Sequence, residues 1–151
     1  MVKALAHRHR LIFEPGKWQS KGSMIILKTA ALVHFEILWD ISPVRNGSIT
    51  CYQQARLLEN EESWQSQLTF YDIEQNSFSM ILASPLNGRF AGKGIITDAD
   101  ICWKLYDEDG SIMGKSTFML DEDGNYTVNA AYQLQVTSQI SVGGRVIPLA
   151  S

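Results

Sequence analysis

Apolar and polar residues alternate along most of the chain, from Trp18 to the C-terminus. In one stretch Val33, Phe35, Ile37 and Trp39 fall on the same face of an extended strand, with two polar residues and one leucine between them. No segment repeats apolar residues with the helical period of about 3.6 residues over three turns. Alternation with a period of two is typical of half-buried strands, so the sequence predicts an all-β fold.

The alternation predicts about ten strands. They cover Lys17–Leu27, a second strand around Val33–Trp39, and then Ile49–Leu58, Trp64–Ile73, Phe78–Ala83, Arg89–Ile96, Ala99–Tyr106, Ile112–Met119, Tyr126–Val136 and Gln139–Ile147. Between them, Asn46-Gly47, Asn87-Gly88, Asp109-Gly110 and Asp123-Gly124 supply residue types that tight hairpin turns need. Short links pair sequential strands antiparallel, and closing such a meander removes its exposed edges. We therefore expect an antiparallel up-and-down barrel.

The chain shows no linker or change of composition that would divide this barrel. We expect an N-terminal extension over residues 1–14 and a single β-barrel domain over residues 15–151. A chain of 151 residues is long enough to bury one core. Its first residues are partly basic but lack the stretch of about 7–15 apolar residues that a signal peptide contains, so we expect a cytoplasmic protein.

Charge and composition exclude several classes of function. The 13 Lys and Arg against 16 Asp and Glu give a net charge of −3, which disfavours nonspecific binding to nucleic acid or to an acidic membrane surface. No apolar run approaches the ~18 residues of a membrane span. The two cysteines, Cys51 and Cys102, are far apart in sequence and are expected to be small buried side chains without a disulfide.

Three motifs resemble ligand sites but lack essential parts. Asp107–Gly110 and Asp121–Gly124 lack the first aspartate and the last glutamate of a calcium loop, so they are interpreted as acidic hairpin turns. Gly88–Gly94 lacks the Ser or Thr that follows the lysine of a phosphate-binding loop. His7 and His9 have no third ligand nearby in sequence and are expected to lie in a flexible, solvated terminus. No metal or cofactor is therefore predicted.

Strands two and three can face inward in two ways. With the apolar face inward, Phe35 and Trp39 join the core together with Trp103 of a later strand, and the burial preferences of these residue types favour this placement. With the opposite face inward, a set of polar residues would line a cavity. They are His34, Glu36, Tyr52, Gln54 and Arg56.

The start of the first strand resembles the Gly-x-Trp opening of the calycin superfamily, which includes lipocalins and fatty-acid-binding proteins. The longer Gly-x-Trp-x-Gly-x-Gly form of nitrobindin-like barrels is matched at Gly16, Trp18 and Gly22, with Ser20 at the middle glycine. In calycins the tryptophan closes one end of the barrel and a basic residue from the last strand packs across it. The resemblance implies these closing roles for Trp18 and Arg145.

The resemblance also implies a barrel whose apolar interior can hold a small hydrophobic ligand. Fatty-acid-binding proteins carry a helical lid between the first two strands, and only Lys28–Ala31 is available for one in this chain. Nitrobindin-like barrels bind haem through a histidine late in the sequence. This chain has no histidine after His34, so the haem function is disfavoured.

The leading hypothesis is a lipocalin-like protein that binds a small apolar molecule in its interior. The residues predicted to contact it are Phe35, Trp39, Trp103 and Tyr132 as apolar walls, and Tyr52, Arg56 and His34 as polar anchors for a head group. A barrel filled by its own side chains, acting in oligomerisation or partner docking, is one alternative. An isomerase or cyclase using Glu36 with His34 as an enclosed acid/base pair is another.

Overall fold

A computed structural model describes residues 9–85, 88–135 and 138–149. It contains ten antiparallel strands, which confirms the predicted fold class and strand order, with ends that differ by a few residues. The strands are β1 (Gly16–Ile26), β2 (Ala31–Ile41), β3 (Ile49–Leu57), β4 (Ser63–Tyr71), β5 (Ser77–Ser84), β6 (Gly88–Ile96), β7 (Asp100–Tyr106), β8 (Ile112–Leu120), β9 (Tyr126–Gln135) and β10 (Ser138–Pro148). None of the elements in the described ranges is a helix of the length and apolar character that a membrane crossing requires.

Each strand pairs with its neighbours in sequence, and β1 also pairs with β10, so the sheet forms a closed barrel. The closing register runs from Trp18 opposite Pro148 to Ile26 opposite Ile140. Turn residues behave as their types predict: Asn46 and the glycines of the following hairpins adopt positive φ. Val136 and Asn87, which the sequence assigns to a strand end and a turn, lie outside the described residues.

The apolar face of β2 points into the barrel, as favoured from the sequence. Phe35 and Trp39 are buried, whereas His34 and Leu38, which each precede one of them, are exposed. The other strands follow the same rule, because alternate side chains of a strand lie on opposite faces of the sheet. The interior is therefore apolar and rich in aromatic rings, and polar side chains are concentrated on the outer face.

The two ends of the barrel differ. We call the end at which β1 begins the lower end, and the opposite end the upper end. Residues 9–14 fill the lower end, where Leu11 and Ile12 are completely buried. The Nε2–H of His9 donates to the Thr97 carbonyl oxygen at 2.6 Å, and Nδ1 of His9 lies 2.8 Å from the Tyr126 hydroxyl. We call residues 9–14 the plug.

The plug corrects the prediction of a flexible, solvated terminus, at least for His9, because the adjacent apolar pair gains burial in the barrel end. His7 lies outside the described residues. Ile12 has a φ of 64°, an unfavourable backbone conformation for a β-branched residue. The structure retains this strain because the Ile12 side chain is fully enclosed. Burial also raises the pKa of the Tyr126 hydroxyl to about 12.

The buried side chains of the plug should contribute measurably to the free energy of unfolding. Leu11→Ala should lower the free energy of unfolding by about 2–4 kcal/mol, because it removes a buried side chain and leaves a cavity. Leu27→Ala is the control, since Leu27 is 54% exposed and should change stability by less than about 0.5 kcal/mol. Urea titration measures both. Equal effects of the two substitutions would show that the plug does not pack in solution.

Candidate functional site

The upper half of the interior is the candidate site. Around the upper end, many side chains on the inner face are apolar yet only half-buried, although Leu105 of β7 is fully buried, whereas the inner face of the lower end is closed by the plug. The half-buried set consists of Met24, Ile26, Val33, Leu57, Trp64, Leu82, Phe90, Tyr132 and Val142. Apolar side chains that face inward and still contact solvent define a mouth rather than a core.

An interruption in the sheet lies beside this mouth. The pairs between β4 and β5 run from Gln67 opposite Ala83 to Tyr71 opposite Ser79, so residues 63–66 of β4 have no partner among the described residues of β5. Trp64 and Ser66 lie on the inner face of this unpaired segment and are half-buried. We call this stretch of β4 the β4–β5 seam.

Aromatic rings cross the middle of the barrel and form the floor of the candidate site. The ring centroids of Trp103 and Phe118 are 4.7 Å apart, and those of Trp39 and Phe118 are 5.7 Å apart in an edge-to-face arrangement. Phe70 extends the group toward the lower end, 5.8 Å from Trp103. Phe35, Trp39 and Trp103, predicted as apolar walls, therefore all point into the barrel.

The inner face carries hydroxyl groups but no charge. Trp39 donates from Nε1 to Ser20 Oγ at 2.8 Å, and the Ser116 and Tyr132 hydroxyls form a hydrogen bond just below the mouth. Ser20 and Ser116 are both buried. No inward-facing side chain in the described parts of the ten strands is that of Lys, Arg, His, Asp or Glu. The interior is thus suited to an uncharged ligand.

Gln53 adds one amide to this interior. It lies on the inner face of β3 between the buried Cys51 and Ala55, opposite Trp39. Its side chain is half-buried and makes no hydrogen bond to any other described residue. An unpaired amide in such a position can donate or accept a hydrogen bond with a bound molecule.

Tyr132 owes its position to a glycine. Gly114 lies directly opposite Tyr132 in the pairing of β8 with β9, and a Cβ at residue 114 would overlap the tyrosine ring. The ring lies over the glycine and brings its hydroxyl to Ser116. Burial raises the pKa of Tyr132. This hydroxyl is therefore protonated at neutral pH and can donate a hydrogen bond.

The three predicted polar anchors do not line the interior. Tyr52 is 53% exposed on the outer face, Arg56 forms an ion pair with Glu36 at 3.1 Å, and His34 contacts Glu59. The prediction was wrong in this respect. The apolar residues of β2 and β3 occupy the inner face, so the residues that alternate with them lie on the outer face. Three inward-facing polar residues were not predicted as site residues, although a polar residue on an apolar face was their signal in the sequence: Ser20, Gln53 and Ser116.

Glu36 and His34 do not form an enclosed acid/base pair. Both lie on the outer face, and Glu36 also accepts a hydrogen bond from Gln19 Nε2 at 2.6 Å. The hydrogen bond from Arg56 is the largest of the effects that lower the pKa of Glu36, so this carboxylate is ionised at neutral pH. The residues suggested for an isomerase or cyclase are therefore an exposed ion-pair network.

Arg145 does not cover Trp18. The resemblance to calycins implied this contact, but Arg145 points outward and forms an ion pair with Asp121 at 3.3 Å, whereas Trp18 is buried on the inner face. Arg10 of the plug takes the position instead, with its guanidinium carbon 6.0 Å from the Trp18 ring centroid. A residue before the first strand thus supplies the cation that the last strand was expected to provide.

Two grooves lie on the outer surface. A groove of about 380 Å³ crosses β1 to β4 and includes Leu38 and Tyr52. Another of about 590 Å³ lies beside the plug. Burial raises the pKa of the Cys51 thiol to about 12, so Cys51 is an inert core residue. Within the described residues, no group of three or more His, Cys, Asp or Glu side chains could hold a metal ion.

The barrel has a calycin-like fold. No protein-family model and no curated protein matches the sequence. Among solved structures, the chain is similar to Rv2717c from M. tuberculosis, with 15% identity and a TM-score of 0.69 over 90% of this chain and 92% of that one. It is also similar to the S-type phycobiliprotein lyase CPES from Guillardia theta, with 13% identity and a TM-score of 0.66 over 91% and 89% of the two chains. These likenesses establish the fold that the sequence motif implied.

The packing of Tyr132 on Gly114 predicts that alanine at residue 114 lowers stability more than alanine at residue 143. Gly114→Ala should lower the free energy of unfolding by about 1–3 kcal/mol, because the new methyl group displaces the tyrosine ring. Gly143→Ala is the control, since a Cβ there meets no atom within 4 Å. Thermal or urea unfolding measures both variants. If Gly114→Ala is as stable as the control, the ring does not lie over residue 114.

Proposed function

We propose that this protein binds a small, uncharged and largely apolar molecule in the upper half of the barrel. The observation that carries the proposal is the ring of half-buried apolar side chains around a mouth, above an interior that offers hydroxyl groups and no charge. The molecule enters through the mouth in this proposal. Phe35, Tyr132 and the rings of Trp39 and Trp103 supply the apolar walls and floor in this proposal.

The absence of charge on the described inner face favours an uncharged ligand. Moving a carboxylate into an apolar interior without a cation costs several kcal/mol. An alcohol or carbonyl group can instead hydrogen-bond to the Ser116–Tyr132 pair or to Gln53. The fold shared with a phycobiliprotein lyase does not extend the proposal to lyase chemistry, because the proposal depends only on the interior of this chain.

A filled barrel is the second candidate function, and the rings that cross the middle of the barrel favour it. In this alternative the upper interior has no room for a ligand, and the outer face would mediate contacts with a partner. The two candidates differ in one measurable property. Only the first predicts saturable binding of an apolar molecule that depends on inward-facing residues.

Paired ligands test the first candidate. Retinol and retinoate share one skeleton but differ in charge, as do hexadecanol and hexadecanoate. We expect the neutral member of at least one pair to quench tryptophan fluorescence saturably and to bind about tenfold or more tightly than its carboxylate partner. Equal affinities within each pair would contradict the neutral site, and no binding of any of the four would favour the filled barrel.

A variant pair locates the polar contact. Ser116→Ala should weaken binding of the neutral ligand by about five- to tenfold, since one hydrogen bond is lost from an enclosed group. Tyr52→Phe removes a hydroxyl from the outer face and should leave the affinity unchanged. The same fluorescence titration measures both. A loss confined to Tyr52→Phe would place the ligand in the outer groove and overturn the proposal.

A further inference from the structure

Three lysines stand in one row on the outer face of the barrel. Lys93 of β6 lies directly opposite Lys104 of β7, and Lys104 lies directly opposite Lys115 of β8. They follow one another at equal spacing in the sequence, which keeps them in register across two hairpins. Lys93 and Lys115 are exposed and Lys104, between them, is half-buried. We call these residues the lysine row.

The lysine row places like charges directly opposite each other, an arrangement that lowers the stability of a sheet. Side chains directly opposite each other on adjacent strands have Cβ atoms about 4.5–5.5 Å apart, and like charges in such positions repel. Among the described residues no carboxylate lies within ion-pair distance of any of the three amines. A loss of stability through repulsion that no ion pair offsets is typical of a functional surface.

Three arginines of the same chain behave differently. Arg10, Arg56 and Arg145 each form an ion pair with a nearby carboxylate. The chain as a whole has a net charge of −3, so carboxylates are not scarce. The direct opposition of three lysines is therefore a local feature of β6, β7 and β8 and not a consequence of a basic composition.

Acidic turns limit the size of what the lysine row can bind. Asp107 and Asp109 lie in the turn that joins β7 to β8 at the upper end. Asp121 and Asp123 lie in the turn after β8 at the lower end. These carboxylates repel a long polyanion or a charged bilayer that extends beyond the row. The favourable region spans only two inter-strand steps, or about 10 Å.

We propose that the lysine row binds a compact polyvalent phosphate anion, of the size of a diphosphate or triphosphate group. Each lysine ammonium offers three donors, and lysine acts as a point charge for phosphate. A condensed phosphate places several negative charges within the length of the row. It would also relieve the repulsion between the three amines. The site lies on the outer face and is separate from the interior site.

Inorganic tripolyphosphate tests this site by calorimetry at low ionic strength, where screening is weak. We expect the triple variant K93Q/K104Q/K115Q to bind it about tenfold or more weakly than the unmodified chain. The control is K17Q/K21Q/K28Q, which removes the same number of positive charges elsewhere and should change the affinity by less than about threefold. Equal losses in the two variants would show a response to net charge and overturn the site.

Thermal unfolding gives a second readout. Tripolyphosphate should raise the Tm of the unmodified chain but not that of the row variant, and K104Q alone should raise the Tm in low salt by relieving repulsion. Vesicles of phosphatidylcholine with phosphatidylglycerol are the competing ligand. Binding to these vesicles that needs the lysine row, with no binding of tripolyphosphate, would contradict the proposal in favour of a lipid surface.

Discussion

Closure of the sheet depends on a close contact between two glycines, Gly22 of β1 and Gly144 of β10. A Cβ on Gly22 would lie 2.6 Å from the Cα of Gly144, and a Cβ on Gly144 would lie 2.9 Å from the Cα of Gly22. Real Cβ atoms essentially never approach so closely. A side chain at either position would force the backbones of β1 and β10 apart, so glycine at both favours the observed pairing of the first and last strands. Gly22 is also the final glycine of the motif that resembles the calycin opening.

A closed sheet has an inner and an outer face, and in the described parts of this barrel the inner face carries uncharged side chains while the charged side chains lie on the outer face. The inner face collects aromatic rings, apolar side chains and the hydroxyls of Ser20, Ser116 and Tyr132. The outer face holds the ion pairs, the acidic turns and the lysine row. A neutral ligand inside and an anion outside therefore recognise different surfaces, and neither proposal depends on the other.

Much of the fold could be predicted from the sequence because a period of two is a local property. The ten strands and the inward placement of Phe35 and Trp39 follow from alternation and burial preference. The plug could not be predicted, since Leu11 and Ile12 show no alternation and are buried only because the finished barrel has an open end. The resemblance to calycins implied a contact between Arg145 and Trp18, but the register of β1 with β10 places Arg145 opposite Lys21 with its side chain outward.

The candidate site was predicted in part for the same reason. Its apolar walls lie on strands whose inward face is indicated by the alternation of apolar and polar residues. Its polar groups belong mostly to small residues, which this alternation does not distinguish. The predicted anchors Tyr52, Arg56 and His34 have large polar side chains, and such side chains lie on the outer face when the residues that alternate with them are apolar. The lysine row could not be predicted from the sequence, because it depends on the register of three strands in the assembled sheet.

We expect a neutral ligand to occupy the upper interior. Its position can be measured by intermolecular nuclear Overhauser effects to methyl-labelled protein, from retinol or hexadecanol according to which of the two binds. We expect contacts to Leu57, Leu82 and Val142, which face inward around the mouth. Contacts to Ile49 near the plug, to Leu38 in the outer groove, or to no methyl group at all would contradict it.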